Sequence, residues 1–200
     1  MPTFWRSRWS KPVLFVLCLL PLAHMVQGFL RDELGANPIE AITHGTGDWT
    51  LRFLLVTIAI TPLRRLLNQP DLIRFRRMLG LFAFFYGILH LMTWVWLDKF
   101  FDSREMLADV TKRRFITMGM FGFALMIPLA VTSTKGWIRR MGKNWQRLHR
   151  LVYFSAAAGV IHYWWLVKSD IRLPLLYGCI LALLLVLRLA KKTRTTVKPG

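Results

Sequence analysis

Six stretches of this chain run without a single Asp, Glu, Lys or Arg: residues 12–30, 53–63, 78–97, 115–134, 151–167 and 173–187. No other feature limits the fold so tightly. A helix that crosses a bilayer needs roughly 17–25 predominantly apolar residues, and four of the six stretches approach or reach that length. The second gains it if Arg52 and Arg64 snorkel their charged heads to the interfaces. The sixth gains it by running on through Arg188 to Ala190. The expectation is an all-α integral membrane bundle of about six transmembrane helices, over 12–30, 49–67, 78–97, 115–134, 150–167 and 173–190, forming a single domain over 1–200. The first stretch follows Arg6, Arg8 and Lys11 and so resembles a secretory leader. It is long for one, and no small-x-small cleavage site precedes Asp32 and Glu33, so it reads as a retained helix.

Such an oily chain carries a formal net charge of +18, from 28 Lys and Arg against 10 Asp and Glu. Where those charges stand decides what they do. The N-terminal tail is basic. The next connection, 31–48, holds Asp32, Glu33, Glu40 and Asp48 against Arg31. The third holds Arg64, Arg65, Arg74, Arg76 and Arg77 against Asp71. Connection 98–114 is mixed. The next holds Lys135, Arg139, Arg140, Lys143, Arg147 and Arg150 with no acid, and a short one with Lys168, Asp170 and Arg172 follows. The tail, with Arg188, Lys191, Lys192, Arg194 and Lys198, is basic again. Basic excess alternates from loop to loop, which places both termini and the Arg-rich loops in the cytoplasm. An even number of spans requires the same of the termini. The positive charge is then topological and suits anionic membrane lipids. Nucleic-acid binding is not expected, because no basic face belongs to a soluble domain. Cys18 and Cys179 both fall in spans without metal-like spacing and read as small packing residues. No internal repeat, no Gly-rich nucleotide fingerprint and no attached soluble cofactor domain is expected.

An ionisable side chain within a membrane helix is costly and is a functional candidate by default. The plainer reading is a neutral imidazole bonded to a neighbouring helix. His90 stands twelve residues after Met78, roughly 18 Å along its helix. His162 stands twelve residues after Arg150 on a helix running the same way. Two imidazoles at matching depth on separate helices could hold one haem iron from both sides. His149 lies roughly 20 Å lower, near the cytoplasmic edge. It suits a second cofactor, but its phase along the helix differs from that of His162. The third span has no inner histidine to face it, because Arg76 and Arg77 stand at that depth. His24 and Gln27 are expected to bond across helices or meet water, and His44, in the outer loop before Gly45, to serve a turn or a helix cap. Tyr86, Trp94, Trp96, Tyr163, Trp164 and Trp165 fit an interfacial aromatic belt, and some could wall a haem pocket.

Three groups of residues form an ordered set over almost the whole chain. LGANPIE from Leu34 to Glu40 is followed by HGTG from His44 to Gly47. TPLRR from Thr61 and RRMLG from Arg76 lead to His90. Thr132 to Thr134 is followed by GKNWQRLH from Gly142 to His149, then by Tyr153, His162 to Trp164, and Val167 with Lys168. Together they resemble the haem-binding membrane subunits of bacterial periplasmic methionine sulfoxide reductase systems (the MsrQ family, formerly YedZ), in the ferric-reductase-like transmembrane group. The resemblance implies a haem b protein of the bacterial inner membrane, multi-pass, with His90, His149 and His162 as haem histidines. It also implies FMN, for which no motif marks a site. The implied electron path starts at the quinone pool or a cytoplasmic flavin reductase and ends at a periplasmic molybdopterin-containing methionine sulfoxide reductase, supporting repair of oxidised periplasmic proteins. The chain itself would not act on methionine sulfoxide. Related reductases carry two histidines on each of two helices. The missing inner histidine leaves one haem, or a second with an unusual ligand. Connections 31–48 and 98–114 are the expected docking surfaces for the periplasmic partner. Two rivals remain open at this point: a self-contained transmembrane ferric or metal reductase, and a membrane scaffold or channel whose histidines only tie helices together. Partner-free reduction of a ferric chelate would mark the first, and a colourless folded protein the second.

Overall fold

The structure, a computed structural model, describes Trp5 and residues 7–167 and 169–193. Arg6, Lys168, Arg194 and Lys198 of the charge argument lie outside the described residues. Helix α1 spans Ser10–Leu30 and α2 spans Pro38–Leu66. A 3-10 segment, Pro70–Phe75, leads into α3, Arg76–Met92, which continues as a π-helical segment, Thr93–Asp98. Then come α4 (Ser103–Lys112), α5 (Arg114–Val131), the short α6 (Lys135–Met141) and α7 (Lys143–Leu148), α8 (Leu151–Leu166) and α9 (Arg172–Thr193). Each expected segment is helical over most of its length, the fourth ending at Val131 rather than at residue 134.

Four are long and apolar enough to cross a bilayer: Ser10–Leu30, Pro70–Asp98, Arg114–Val131 and Arg172–Leu189. Helix α2 is long enough but carries Glu40, Asp48, Arg52, Arg64 and Arg65. Helix α8 has 16 residues, about 24 Å of rise, short of a hydrocarbon core about 30 Å thick. The outward faces of α1, α5 and α9 are apolar, with Phe15, Leu20, Phe121, Ile127, Leu183 and Val186 all exposed. That is the surface of a bundle whose solvent is lipid.

Helix α2 is the hub. It packs on α1, α3, α8 and α9, and Leu51, Phe53, Leu54, Leu55, Ile58 and Ile60 are buried along it. Its charges are partly answered inside the bundle. The Nε of Arg52 donates to the Tyr177 hydroxyl at 2.8 Å and its Nη2 to Asp48 at 3.3 Å. A helix sheathed by its neighbours does not need to be apolar all round.

Two connections expected to be loops contain helix. Helix α2 begins eleven residues before the expected start of its span. Asn37 caps it, accepting from Glu40 N at 3.2 Å and donating to Glu40 Oε2 at 3.0 Å, with Pro38 at the first helical position. The cap answers the orphan N–H of Glu40, and Pro38 has none to answer, which starts the helix here. His44 therefore lies within α2, 3.7 Å from Glu40, and is not a turn residue in a loop. Connection 98–114 holds α4, capped by Asp102, which accepts from the backbone of Arg104 and Glu105. Lys99 pins the turn before it, at 3.7 Å from Asp98, 3.6 Å from Glu105 and 2.9 Å from Asp109. The bond to Asp109 is the main reason its ammonium is held above the ordinary lysine range.

Candidate functional site

Helices α2, α3, α5 and α8 surround a cavity of about 580 Å³, within the range of sites that enclose a cofactor. Its wall is mostly apolar, with Leu51, Leu54, Phe123 and Met126 toward its inner part. His90 from α3 and His162 from α8 both line it, as do Trp94 on the π-helical segment and Tyr163. The outer end is polar, with Asn37, His44 and Arg113.

The two rings lie 6.0 Å apart, centre to centre, with planes at 78°. Each ring is tied on its far nitrogen. His90 Nδ1 lies 3.0 Å from the Thr43 carbonyl of α2, and His162 Nδ1 lies 2.6 Å from the Phe115 carbonyl of α5. A carbonyl oxygen can only accept, so Nδ1 carries the proton in both rings and the lone pair falls on Nε2. Among the described residues neither Nε2 has a hydrogen-bond partner. This is the arrangement of a metal-ligating histidine whose outer nitrogen is held by a backbone carbonyl.

The spacing also fits a shared metal. Two imidazoles bound at about 2 Å from one ion, each ring centre lying roughly 1 Å behind its nitrogen, stand about 6 Å apart. Glycines make the room. A Cβ on Gly47 would come within 3.0 Å of His90 Cε1, and one on Gly119 within 2.8 Å of His162 Nδ1. The residues present therefore fit a planar cofactor ligated from both faces.

His149 is placed elsewhere. It follows α7, before α8 begins at Leu151, and is not part of the cavity wall. Its ring stacks on Trp145, 3.8 Å between centres at 27°, and its Nδ1 meets the Trp145 carbonyl at 3.1 Å. Trp145 is itself anchored to the Thr132 carbonyl at 2.9 Å. His149 Nε2 is buried without a hydrogen bond. Burial is the main cause that holds this imidazole below the ordinary histidine range. The bond to Trp145 opposes it, and nearby Arg76 adds to the lowering. The break before α8 frees His149 from the helical phase of His162.

The remaining candidates separate cleanly. His24 is exposed on α1, and Gln27 faces Arg31 on its own helix end. Of the aromatics, Trp94 and Tyr163 reach the cavity, whereas Trp96, Trp164 and Trp165 are exposed. Tyr86 is buried against α1. Cys18 is buried and Cys179 exposed, both as free thiols. Thr43, Phe115 and Gly119 were not singled out from the sequence, and Gly47 only as the last residue of the HGTG stretch. Their part is played by backbone and by empty space, which leave no side-chain signature.

The family described as "Ferric reductase like transmembrane component" matches residues 46–160. This segment takes in His90 and ends two residues before His162. Among similar proteins, "Protein-methionine-sulfoxide reductase heme-binding subunit MsrQ" of Herminiimonas arsenicoxydans is 58% identical, over 89% of this chain and 83% of that protein. The protein of the same description in Bordetella pertussis is 54% identical over 90% of this chain and 88% of its own length. That of Caulobacter vibrioides is 50% identical over 93% and 89%.

Proposed function

Because this chain belongs to the ferric-reductase-like transmembrane family, and within it to the MsrQ haem-binding subunits, we propose that it carries haem b between His90 and His162 and relays electrons across the bacterial inner membrane. The acceptor is a periplasmic molybdopterin-containing methionine sulfoxide reductase, and the donor is the quinone pool or a cytoplasmic flavin reductase. One observation supports this reading above others: two imidazoles 6.0 Å apart in a largely apolar cavity, each with its outer nitrogen spent on a backbone carbonyl.

The haem supplies one-electron cycling of its iron. The chain supplies the rest. His90 and His162 present neutral Nε2 lone pairs, and the Thr43 and Phe115 carbonyls raise the basicity of both rings. The apolar wall keeps water out and lowers the local dielectric. Arg113 and His44 stand at the polar outer end for the charged edge of the cofactor. In this reading both termini are cytoplasmic, six helices cross the membrane, and α2 and α8 cross as inner members shielded by their neighbours. His149 is a candidate ligand or neighbour of a second cofactor near the inner face. FMN is retained as a second cofactor on family grounds, with no residues assigned to it.

The test is a visible spectrum and a pyridine haemochrome assay on the purified protein. A sharp Soret band is expected, lost in His90→Ala and in His162→Ala. Electron delivery to the periplasmic reductase should vanish in the same two variants. A colourless wild-type protein that is fully folded would sink the proposal.

A further inference from the structure

We infer that the haem chamber is built twice from one backbone template, and that Gly47 and Gly119, with the carbonyls of Thr43 and Phe115, are paired positioning residues that set the tautomer and plane of the two imidazoles. The inference rests on the haem reading above and concerns how the ligands are held.

The two ligand settings match in detail. His90 is bonded to a carbonyl 47 residues earlier in the chain, and His162 likewise to one 47 residues earlier. In each case a glycine stands four residues after that carbonyl, on the same face of the helix, against the edge of the ring. The atoms nearest to a Cβ on Gly47 all belong to His90: Cε1 at 3.0 Å, Nδ1 at 3.2 Å and Nε2 at 3.5 Å. Those nearest to a Cβ on Gly119 all belong to His162: Nδ1 at 2.8 Å, Cε1 at 3.0 Å and Cγ at 3.4 Å.

The match extends to a second layer. A Cβ on Gly87 of α3 would meet Phe123 of α5 at 3.4 Å, and a Cβ on Gly159 of α8 would meet Leu51 of α2 at 3.4 Å. Every member of the second set stands 72 positions after its counterpart: 43 to 115, 47 to 119, 51 to 123, 87 to 159 and 90 to 162. The contacts cross over, with the first half touching the second as the second touches the first. That reciprocity is the signature of a two-fold relation, here within one chain. Helix α2 packs closely on α3 and α5 packs closely on α8, so each half is a helix pair, and the axis between them passes between the two imidazoles.

What the halves share is backbone, glycine and histidine. Thr43 against Phe115 and Leu51 against Phe123 have no side-chain likeness, so the likeness in sequence is brief: GILH from Gly87 to His90 against GVIH from Gly159 to His162. A glycine kept for helix packing behaves differently. At Gly122 a Cβ would meet Ala158 Cβ at 3.2 Å and the Ser155 carbonyl at 3.5 Å, which are groups of a neighbouring helix. At Gly47 and Gly119 the obstacle is the ligand ring.

A methyl group at either glycine must push the ring by a few tenths of an ångström and weaken its hydrogen bond. A less basic imidazole favours ferrous over ferric iron, so the reduction potential should rise. Supporting groups of this kind are typically worth 10–100-fold in metal affinity.

The experiment uses the full-length, haem-loaded protein in detergent. In Gly47→Ala and Gly119→Ala, haem retention should fall about tenfold or more, or the potential should rise. Helix content by circular dichroism should be unchanged in both. Gly80→Ala, where a Cβ would meet only Thr57 at 3.6 Å, should match wild type in every readout. Wild-type retention, potential and electron paramagnetic resonance spectrum in both ring-facing variants would overturn the inference. If either variant fails to fold, wild-type protein decides the matter. Near-perpendicular ligand planes leave the two iron orbitals that face the rings almost degenerate, so the ferric spectrum should show a single large-g feature. Electron–nuclear double resonance should find a hydrogen-bonded Nδ1 proton on both ligands. A rhombic spectrum with parallel ligand planes, or freely exchanging Nδ1 protons, would overturn it. A colourless wild-type protein would overturn the haem reading and this inference with it, an outcome distinct from a haem protein indifferent to both glycines.

Discussion

Tyr86 has no exposed surface, and its hydroxyl does more than fill space. It donates to the Cys18 carbonyl at 2.9 Å and accepts from Leu22 N at 3.0 Å. These two backbone groups would otherwise bond to each other within α1. Pro21 opens the turn, because it lacks an N–H and its ring crowds the preceding carbonyls, and the tyrosine enters the gap. Tyr86→Phe should destabilise the folded protein by about 1–3 kcal/mol, seen as a lower unfolding temperature and earlier protease cleavage near Pro21. Lys99 is a second single-residue control point, with its side chain only 11% exposed among three carboxylates. Its raised pKa means that its contribution is complete below the ordinary lysine value of about 10.4 and is lost only as pH rises through the higher folded value. Tryptophan fluorescence of Trp94 and Trp96 should therefore stay constant from neutral pH to about 10. In Lys99→Met it should differ from wild type across that range, because Asp109 is then left half-answered by Arg113 at 3.2 Å.

At the scale of elements, α2 shows how a helix start can be written in a sequence and still be overlooked. The run Asn37, Pro38, Ile39, Glu40 contains a cap, a first-turn proline and a capping glutamate. Reading span boundaries from charge alone puts the start of the helix at residue 49, just past Asp48, and leaves His44 in a loop. Asn37→Ala should cost about 1 kcal/mol of stability, measurable as a shift in denaturant midpoint with an unchanged haem spectrum. The uncharged runs fall on helices α3 and α8, since an apolar surrounding penalises charge over their length. The nearness of His90 to His162 follows from equal depth on two helices that run the same way. His149 illustrates the opposite case. Its helical phase appeared to conflict with that of His162, and the structure separates the two by ending α7 before α8 begins.

At the scale of the molecule, the arrangement of charge predicts topology. A green fluorescent protein fused after residue 200 should fluoresce and an alkaline phosphatase fused there should be inactive. The reverse is expected for fusions in the 31–37 connection. The opposite pattern would reject cytoplasmic termini. On the haem reading the cofactor would also stabilise the whole by mass action, because a ligand that binds only the folded state stabilises it in proportion to the logarithm of its excess over Kd. Protein produced under haem starvation should unfold at a lower temperature than loaded protein. His90→Ala should show little difference between the two conditions. The two-fold relation of the halves stops short of the inner end, where the same 72-position shift sets Arg77 in the place of His149. A guanidinium stays charged and offers no lone pair to a metal, so on the haem reading the inner half lacks the symmetric pair of ligands proposed for the outer one.

The sequence by itself determined what depends on one dimension. The lengths of the uncharged runs call for apolar helices, and the alternation of basic loops predicts their orientation. Equal counts from the cytoplasmic edge put two histidines at one depth. Only the tertiary structure decided which nitrogen of each histidine is free, which carbonyl holds the other, and why two glycines must have no side chain. Those properties belong to pairs of groups 47 residues apart on different helices. They exist only once the helices have packed, and a glycine or a carbonyl carries no mark in the sequence of the ring it will face.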